Sequence, residues 1–291
     1  MKYEVMASSE NEEAWHADRA KVITASEMGE LANGGAGAWV RIKAEKSGLS
    51  PRFGGNRATQ WGHDREAIIM ESLRERHGIE PNSHLLVSDE HPLHGGTPDG
   101  VHPAGALLGE AKTHNGPHLL EPMAKWATQA QWNMHVTGAV QLVLAVEYYD
   151  EVSPGEFRTR DFSRPQEFLI DRDDEEIERL MVLADRFFGM AEPTADDLLL
   201  ARAVEAKQAI KDAQAEWANV ESEILDRVGD SQKFNHVHPE LGSMSFSRPQ
   251  PRAQFLKEKF EESYPDLAEQ FTVEGRVPKP TVRVTPVKEK K

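Results

Sequence analysis

No cysteine occurs among the 291 residues. That absence removes disulfides, thiol nucleophiles, Cys-ligated zinc and iron–sulfur clusters together, so any metal must sit on oxygen or imidazole. An uninterrupted apolar run near the ~20 residues of a membrane span is also lacking. With 38% hydrophobic and 29% charged residues, the expected class is a soluble protein. Residues 1–13 are polar and acidic, without the basic start and apolar stretch of a secretory signal, which makes a cytoplasmic location the expectation. Positive charge is in deficit overall, with 34 Lys and Arg against 49 Asp and Glu for a net −15. A protein that coats nucleic acid through a uniformly basic surface is disfavoured, because phosphate neutralisation supplies most non-specific affinity.

The charge is not evenly spread. From Arg41 to Arg65 there are six basic residues (Arg41, Lys43, Lys46, Arg52, Arg57, Arg65) against two acids (Glu45, Asp64), while acids concentrate at Asp171 to Glu178. A basic entry region and an ordinary mixed-charge surface are both compatible with this pattern.

The length suits one domain with an appendage. Hydrophobic periodicity and cap residues predict helices over Ser26 to Leu31, Val40 to Lys46 and Trp61 to His77, the first two separated by a loop at Gly34, Gly35 and Gly37. That loop lacks the full GxGxxG spacing and is read as a plain connector. Strands are expected at Ser83 to Ser88, Ala106 to Lys112, Ala139 to Tyr148 and Gln166 to Ile170, with helices at Glu121 to Val136 and Asp173 to Phe188. Strands interleaved with helices indicate an α/β or α+β core on a mixed sheet. After Pro193 the texture changes. Ala195 to Val228 fits one long amphipathic helix, expected to pack on its own core, and short strands are expected at Ser243 to Ser247 and Thr281 to Thr285 around a charged helix near Gln254 to Tyr264. The expected division is a core of 1–193 and an appendage of 194–291.

Chemistry is concentrated in Gly96-Thr97-Pro98-Asp99-Gly100 and Leu108-Gly109-Glu110-Ala111-Lys112. Alternate side chains of a strand share a face, so Glu110 and Lys112 project together. Asp99 lies in a turn tightened by Pro98 and Gly100 and meets Glu110 if the two segments are sheet neighbours. Such hard oxygen ligands suit Mg²⁺ or Mn²⁺, as one ion or two. In phosphodiester hydrolysis such an ion polarises a phosphoryl oxygen and activates water, while Lys112 orients the water and offsets developing charge. The bland alternative is an Asx turn at Asp99 and a surface Glu110–Lys112 pair. His91 with His94, or His114 with His118, form no convincing zinc set and are read as turn and surface histidines.

Three further stretches carry a resemblance. Trp15-His16, Arg19 and Ile23-Thr24-Ala25-Ser26-Glu27, then Trp61-Gly62 with Glu66, then Gln129-Ala130-Gln131 ending in Val136-Thr137-Gly138, resemble in order the signatures of the phage lambda exonuclease and YqaJ-like viral recombinase family of PD-(D/E)XK nucleases. The resemblance implies a PD-(D/E)XK core and a metal-dependent exonuclease degrading one strand of double-stranded DNA from 5′ to 3′ for recombination. It further implies a ring-shaped homotrimer, a single-strand annealing protein as partner and, for a phage-encoded protein, the host cytoplasm. Asp99, Glu110 and the backbone carbonyl of Ala111 would bind metal, Glu66 would act on a second ion or its water, Lys112 would be the catalytic lysine, and Gln129 would lie near the scissile bond. Gln131, about 200° further round the helix, should face into packing. Arg19, Ser26 and Thr97 match positions that hold a terminal 5′-phosphate. The fourth such position is His118 where the lambda enzyme has arginine, which implies weaker discrimination for the phosphate. A structure- or site-specific endonuclease of the same fold shares every metal ligand, and a non-catalytic DNA-binding recombination scaffold is the alternative outside enzymes.

Overall fold

The computed structural model describes residues 2–51, 55–160, 164–229, 233–238, 242–247 and 255–271. The strand expected at 281–285 lies outside them. The chain divides into two compact units, Met1–Arg202 and Ala203–Lys291.

In the first unit, the chain opens with β1 (Tyr3–Ser8), α1 (Glu12–Lys21), α2 (Ala25–Asn33), α3 (Ala36–Lys46) and α4 (Arg57–His77). Short strands β2 (Glu80–Pro81), β3 (His84–Ser88), β4 (Gly95–Gly96) and β5 (Gly100–Val101) lead into β6 (Leu107–His114). Then come α5 (Ala124–Thr137), β7 (Gln141–Ser153), β8 (Glu156–Thr159), β9 (Gln166–Asp171), α6 (Asp174–Phe188) and the start of α7 (Ala195–Val228).

The principal sheet has the order β2-β5-β6-β7-β8, with β9 also pairing β7. β6 and β7 run parallel, from Leu107 opposite Gln141 to His114 opposite Tyr148, and α5 supplies the crossover that a parallel pair requires. Leu142 to Val146 are buried without a break, the pattern of a strand covered on both faces. One cover is α4, whose Ile69, Met70 and Leu73 pack with Ile79, Ala111, Val143 and Ala145. The other is α5, whose Trp126, Ala130 and Met134 pack with Leu108, Leu142, Leu144 and Val146. A smaller antiparallel sheet, β1-β3-β4, lies in the same unit. The fold is a mixed α/β sheet flanked by helices.

Two departures from the sequence reading have physical causes. The glycine loop shrinks to Gly34 and Gly35, because Gly37 is buried inside α3. The strand β1 and helix α1 were not expected; α1 buries none of its residues fully, so it carries no apolar stripe to betray it. Thr24 and Glu27 form a capping box that starts α2, and Asp173 caps α6 by accepting from Glu176 N–H ahead of three acids in the first turn.

The second unit holds the remainder of α7, the antiparallel hairpin β10 (Lys233–His238) and β11 (Gly242–Ser247), and helices α8 (Lys257–Ser263) and α9 (Pro265–Phe271). The two compact units meet in sequence inside α7. Thr194 starts that helix by accepting from Asp197 N–H at 3.2 Å, while its own N–H donates to Asp197 Oδ2 at 2.8 Å. Among the described residues, no helix is long and apolar enough to cross a membrane.

Candidate active site

The register of β5 and β6 builds the site. Gly100 lies opposite Gly109, so Asp99, one residue earlier, comes beside Glu110. Its Oδ2 accepts from Ala111 N–H at 2.8 Å. The turn before it is clamped from β2's end, where Asn82 N–H donates to Asp99 O at 2.9 Å and Asn82 Nδ2 to Pro98 O at 3.0 Å. Gly100 has to be glycine, since a Cβ there would lie 2.4 Å from Met70 Cε and 2.6 Å from Ile79 Cγ2. The absence of that atom lets α4, with Glu66, approach the strand that follows Asp99.

On β6, period-two alternation sends Glu110 and Lys112 to the α5 face. Glu110 is 2% exposed and fully engaged: its Oε1 accepts from Lys112 Nζ at 2.6 Å and Gln129 Nε2 at 2.5 Å, and its Oε2 from Asn133 Nδ2 at 3.2 Å. Gln129 and Asn133 are four apart on α5 and therefore share a face. Gln131 faces away, donating to Asp171 O at 2.8 Å and accepting from Asp173 N–H at 2.9 Å.

The electrostatics follow from crowding. Burial and the neighbouring Asp99 charge push the Glu110 carboxyl up to about 8, against the pull of Lys112. Burial also raises Asp99. Glu66 is raised by burial and by Asp99, with His63 at 3.7 Å pulling the other way. Burial works against the Lys112 ammonium, yet Glu110 and Asp99 outweigh it and its pKa is raised. Three carboxyls thus share one ammonium. Among the described residues, no group of three or more His, Asp or Glu side chains is gathered to hold a metal by itself. Mg²⁺ keeps several waters and takes one or two carboxylates, so the pair Asp99 and Glu110, short of positive charge, fits such an ion.

A second group of residues surrounds the start of α2. Ile23 bridges His94 in parallel, and Trp132 Nε1 donates to both Ile23 O at 3.2 Å and Gly95 O at 3.0 Å. The segments leading to Ser26 and to Thr97 therefore run side by side in one direction. Ser26 is exposed and its hydroxyl lies 3.3 Å from that of Thr24. Arg19 donates to Thr24 Oγ1 at 3.5 Å, its guanidinium 4.4 Å from the centre of the Trp15 ring. Lys46 Nζ pairs with Glu27 at 2.9 Å and balances the carboxylate closest to this group. The Thr97 hydroxyl is buried without a hydrogen-bond partner. His118 is engaged elsewhere, stacked on Tyr148 at 4.3 Å and 3.2 Å from Gln166 Oε1 through Nδ1.

Two features escaped the sequence reading. Asn133 completes the grip on Glu110, and its fully buried position was signalled by the four-residue step from Gln129. His94 is a core residue, 4% exposed, with Nδ1 2.9 Å from His135 Nε2 and its ring stacked on His91. The turn-or-surface expectation fails for it because Trp132 and His135 of α5 close over the turn.

Residues 14–140 match the family model of the YqaJ-like viral recombinase domain. Asp99, Glu110, Lys112, Gln129 and Asn133 all fall within that YqaJ-like stretch. No curated protein matches the sequence. Among solved structures, the alkaline exonuclease LHK-Exo from Laribacter hongkongensis is similar at 21% identity and a TM-score of 0.48, over 68% of this chain and 98% of that one. A phage-related exonuclease from Haemophilus somnus 129PT is similar at 18% identity and a TM-score of 0.44, over 53% of this chain and 80% of that one.

Proposed function

We propose that this chain is a Mg²⁺- or Mn²⁺-dependent exonuclease that degrades one strand of double-stranded DNA from 5′ to 3′, leaving single-stranded DNA for phage-type recombination. The observation that carries the reading is the convergence of Asp99, Glu110 and Lys112 across the β5–β6 pair, with more negative charge than Lys112 balances.

Asp99, Glu110 and the carbonyl of Ala111 would hold the ion, and Glu66 would act on a second one or on its water. When bound, such an ion supplies Lewis-acid polarisation of a phosphoryl oxygen and a water of lowered pKa. Lys112, charged at neutral pH because Glu110 and Asp99 hold its proton, orients the attacking water and offsets charge on the phosphoryl oxygens. Gln129 and Asn133 keep the Glu110 carboxylate in one orientation, and Gln129 lies near the scissile bond. Arg19, Ser26 and Thr97 receive the terminal 5′-phosphate, supported by the unpartnered Thr97 hydroxyl. His118 is the fourth member of that set, and an imidazole there lacks the guanidinium fork that grips a phosphate, which weakens discrimination for it. The proposal takes residues 1–193 as the nuclease core and 194–291 as an appendage. It extends to a ring-shaped homotrimer, to a single-strand annealing protein as partner and to work in a host cytoplasm, all supported by the family resemblance.

The test is digestion of linear 5′-labelled duplex DNA beside covalently closed circles, with Mg²⁺ and with EDTA, for the native chain and Lys112→Ala. Mg²⁺-dependent loss of linear DNA alone, abolished in the variant, is the expected result. Cleavage of the circle would establish an endonuclease of the same fold. Digestion of neither would leave a DNA-binding scaffold.

A further inference from the structure

Helix α7 carries a repeat beyond simple amphipathicity. Positions 203, 206, 210, 213, 217, 220 and 224 are Ala, Ala, Ile, Ala, Trp, Val and Ile, spaced alternately by three and four. That is the 3.5-residue period of a two-helix seam, narrower than the face of a helix packed on a globular core. The sequence suggested packing on the chain's own core. In the structure Ile210 is 58% exposed, Trp217 60% and Val220 37%. Exposed large apolar residues in one continuous line mark an interaction surface.

We propose that α7 pairs antiparallel with α7 of a second copy of this chain. Shape fixes the register. With Trp217 set against Ala206 of the second copy, Ile210 meets Ala213 and Val220 meets Ala203, and the two-fold axis repeats each contact. Every large seam residue from 203 to 220 then fills the space above an alanine, the interdigitation that close packing requires. No such match exists in a parallel, in-register pair, where Trp217 meets Trp217 and Ala206 meets Ala206.

Charge fixes the direction. In the antiparallel pair, Lys207 beside the seam approaches Glu221 of the second copy. In a parallel pair Glu216 of one helix would stand next to Glu221 of the other, a like-charge contact that opposes association. The basic residues Lys207 and Lys211 outnumber the acid Glu205 before the centre of the seam, and the acids Asp212, Glu216, Glu221 and Glu223 follow it. A helix of this polarity complements its own reverse. The occupant is accordingly a second copy rather than an unrelated partner. If the chain also forms a ring trimer, the pairing joins chains of two rings.

Because the chain has no cysteine, single cysteines report the pairing cleanly. Gln214 flanks the centre of the antiparallel seam, displaced from its own symmetry mate by about 7.5 Å along the axis, at ~1.5 Å per residue. Ala206 is displaced from its mate by about 16 Å along the axis, at ~1.5 Å per residue. Full-length Gln214→Cys should be joined into a dimer by a short bismaleimide, whose spacer bridges that offset, and Ala206→Cys should not. Linkage of Ala206→Cys alone would mean a parallel pair and overturn the proposal. Light scattering should give a native mass of an even number of chains, halved by Ile210→Glu with Trp217→Glu. An odd number, a monomer, or a mass unchanged in that variant would also overturn it. Both substituted residues are exposed, and a circular dichroism spectrum equal to that of the native chain establishes that the variant is folded.

Discussion

Asn133 and Glu110 are joined across 3.2 Å by an amide that donates from α5 into the one carboxylate of the site that is almost wholly buried. Asn133 Oδ1 has no hydrogen-bond partner, and a Cβ on Gly96 would lie 2.4 Å from it. The amide is thus held on the acceptor side by space and on the donor side by Glu110.

Replacing Asn133 by alanine removes one of three donors to Glu110 and frees its carboxylate to turn. The expected loss is about 10- to 100-fold in kcat/KM, the range seen when groups that orient ligands are removed. A stability loss of ~1–3 kcal/mol should accompany it, from Glu110 Oε2 left buried without its donor. Nuclease kinetics with a urea titration check both, and unchanged kcat/KM would remove Asn133 from a positioning role.

Thr97→Val exchanges a hydroxyl for a methyl of similar size. Since that hydroxyl is buried and unpartnered, stability should change by less than about 1 kcal/mol or improve. The preference for 5′-phosphorylated over 5′-hydroxyl duplex ends should fall. An equal preference in the variant would remove Thr97 from phosphate recognition.

Glu110 gives the metal-free protein a pH dependence of definite sign. Its ordinary pKa of 4.5 is raised to about 8 in the folded chain, so the folded state holds its proton after the unfolded state has lost it. The corresponding stability is full below about pH 4.5 and is lost as pH rises towards 8. Thermal melts in EDTA from pH 5 to 9 should show this decline, flattened in Glu110→Gln. Mg²⁺ should offset it in the native chain only.

His94 and His135 impose the opposite slope at lower pH. From an ordinary 6.5, burial with the charges of His135 and His91 depresses His94 to about 3, and burial with those of His91 and Arg172 depresses His135 to about 4. The unfolded chain therefore takes up protons first, and stability present above pH 6.5 is lost as pH falls towards 4. His135→Gln should reduce the slope between pH 6.5 and 4. A slope equal to that of the native chain would mean that the pair titrates normally.

The parts of the site that were legible in the sequence are those set by local geometry. Period two places Glu110 and Lys112 on one face, and the turn at Pro98 and Gly100 marks Asp99. Helical arithmetic turns Gln131 away, and the same ~100° per residue brings Asn133 back to within about 40° of Gln129. What was not legible depends on distant pairing. Nothing near Ile23 announces its bridge to His94, and the contact of His94 with His135 spans 41 residues. The edge strand β1 is short and half polar, too weak a pattern without its partner β3 in view.

Helix α5 touches both ends of this arrangement. Gln129 and Asn133 hold Glu110, and Trp132, between them in sequence, pins Ile23 and Gly95 on the way to Ser26 and Thr97. On the proposed function, one rigid rod sets the span from the held chain end to the bond that is cut. The size of the released product is then a ruler reading, copied from helix geometry into nucleotides.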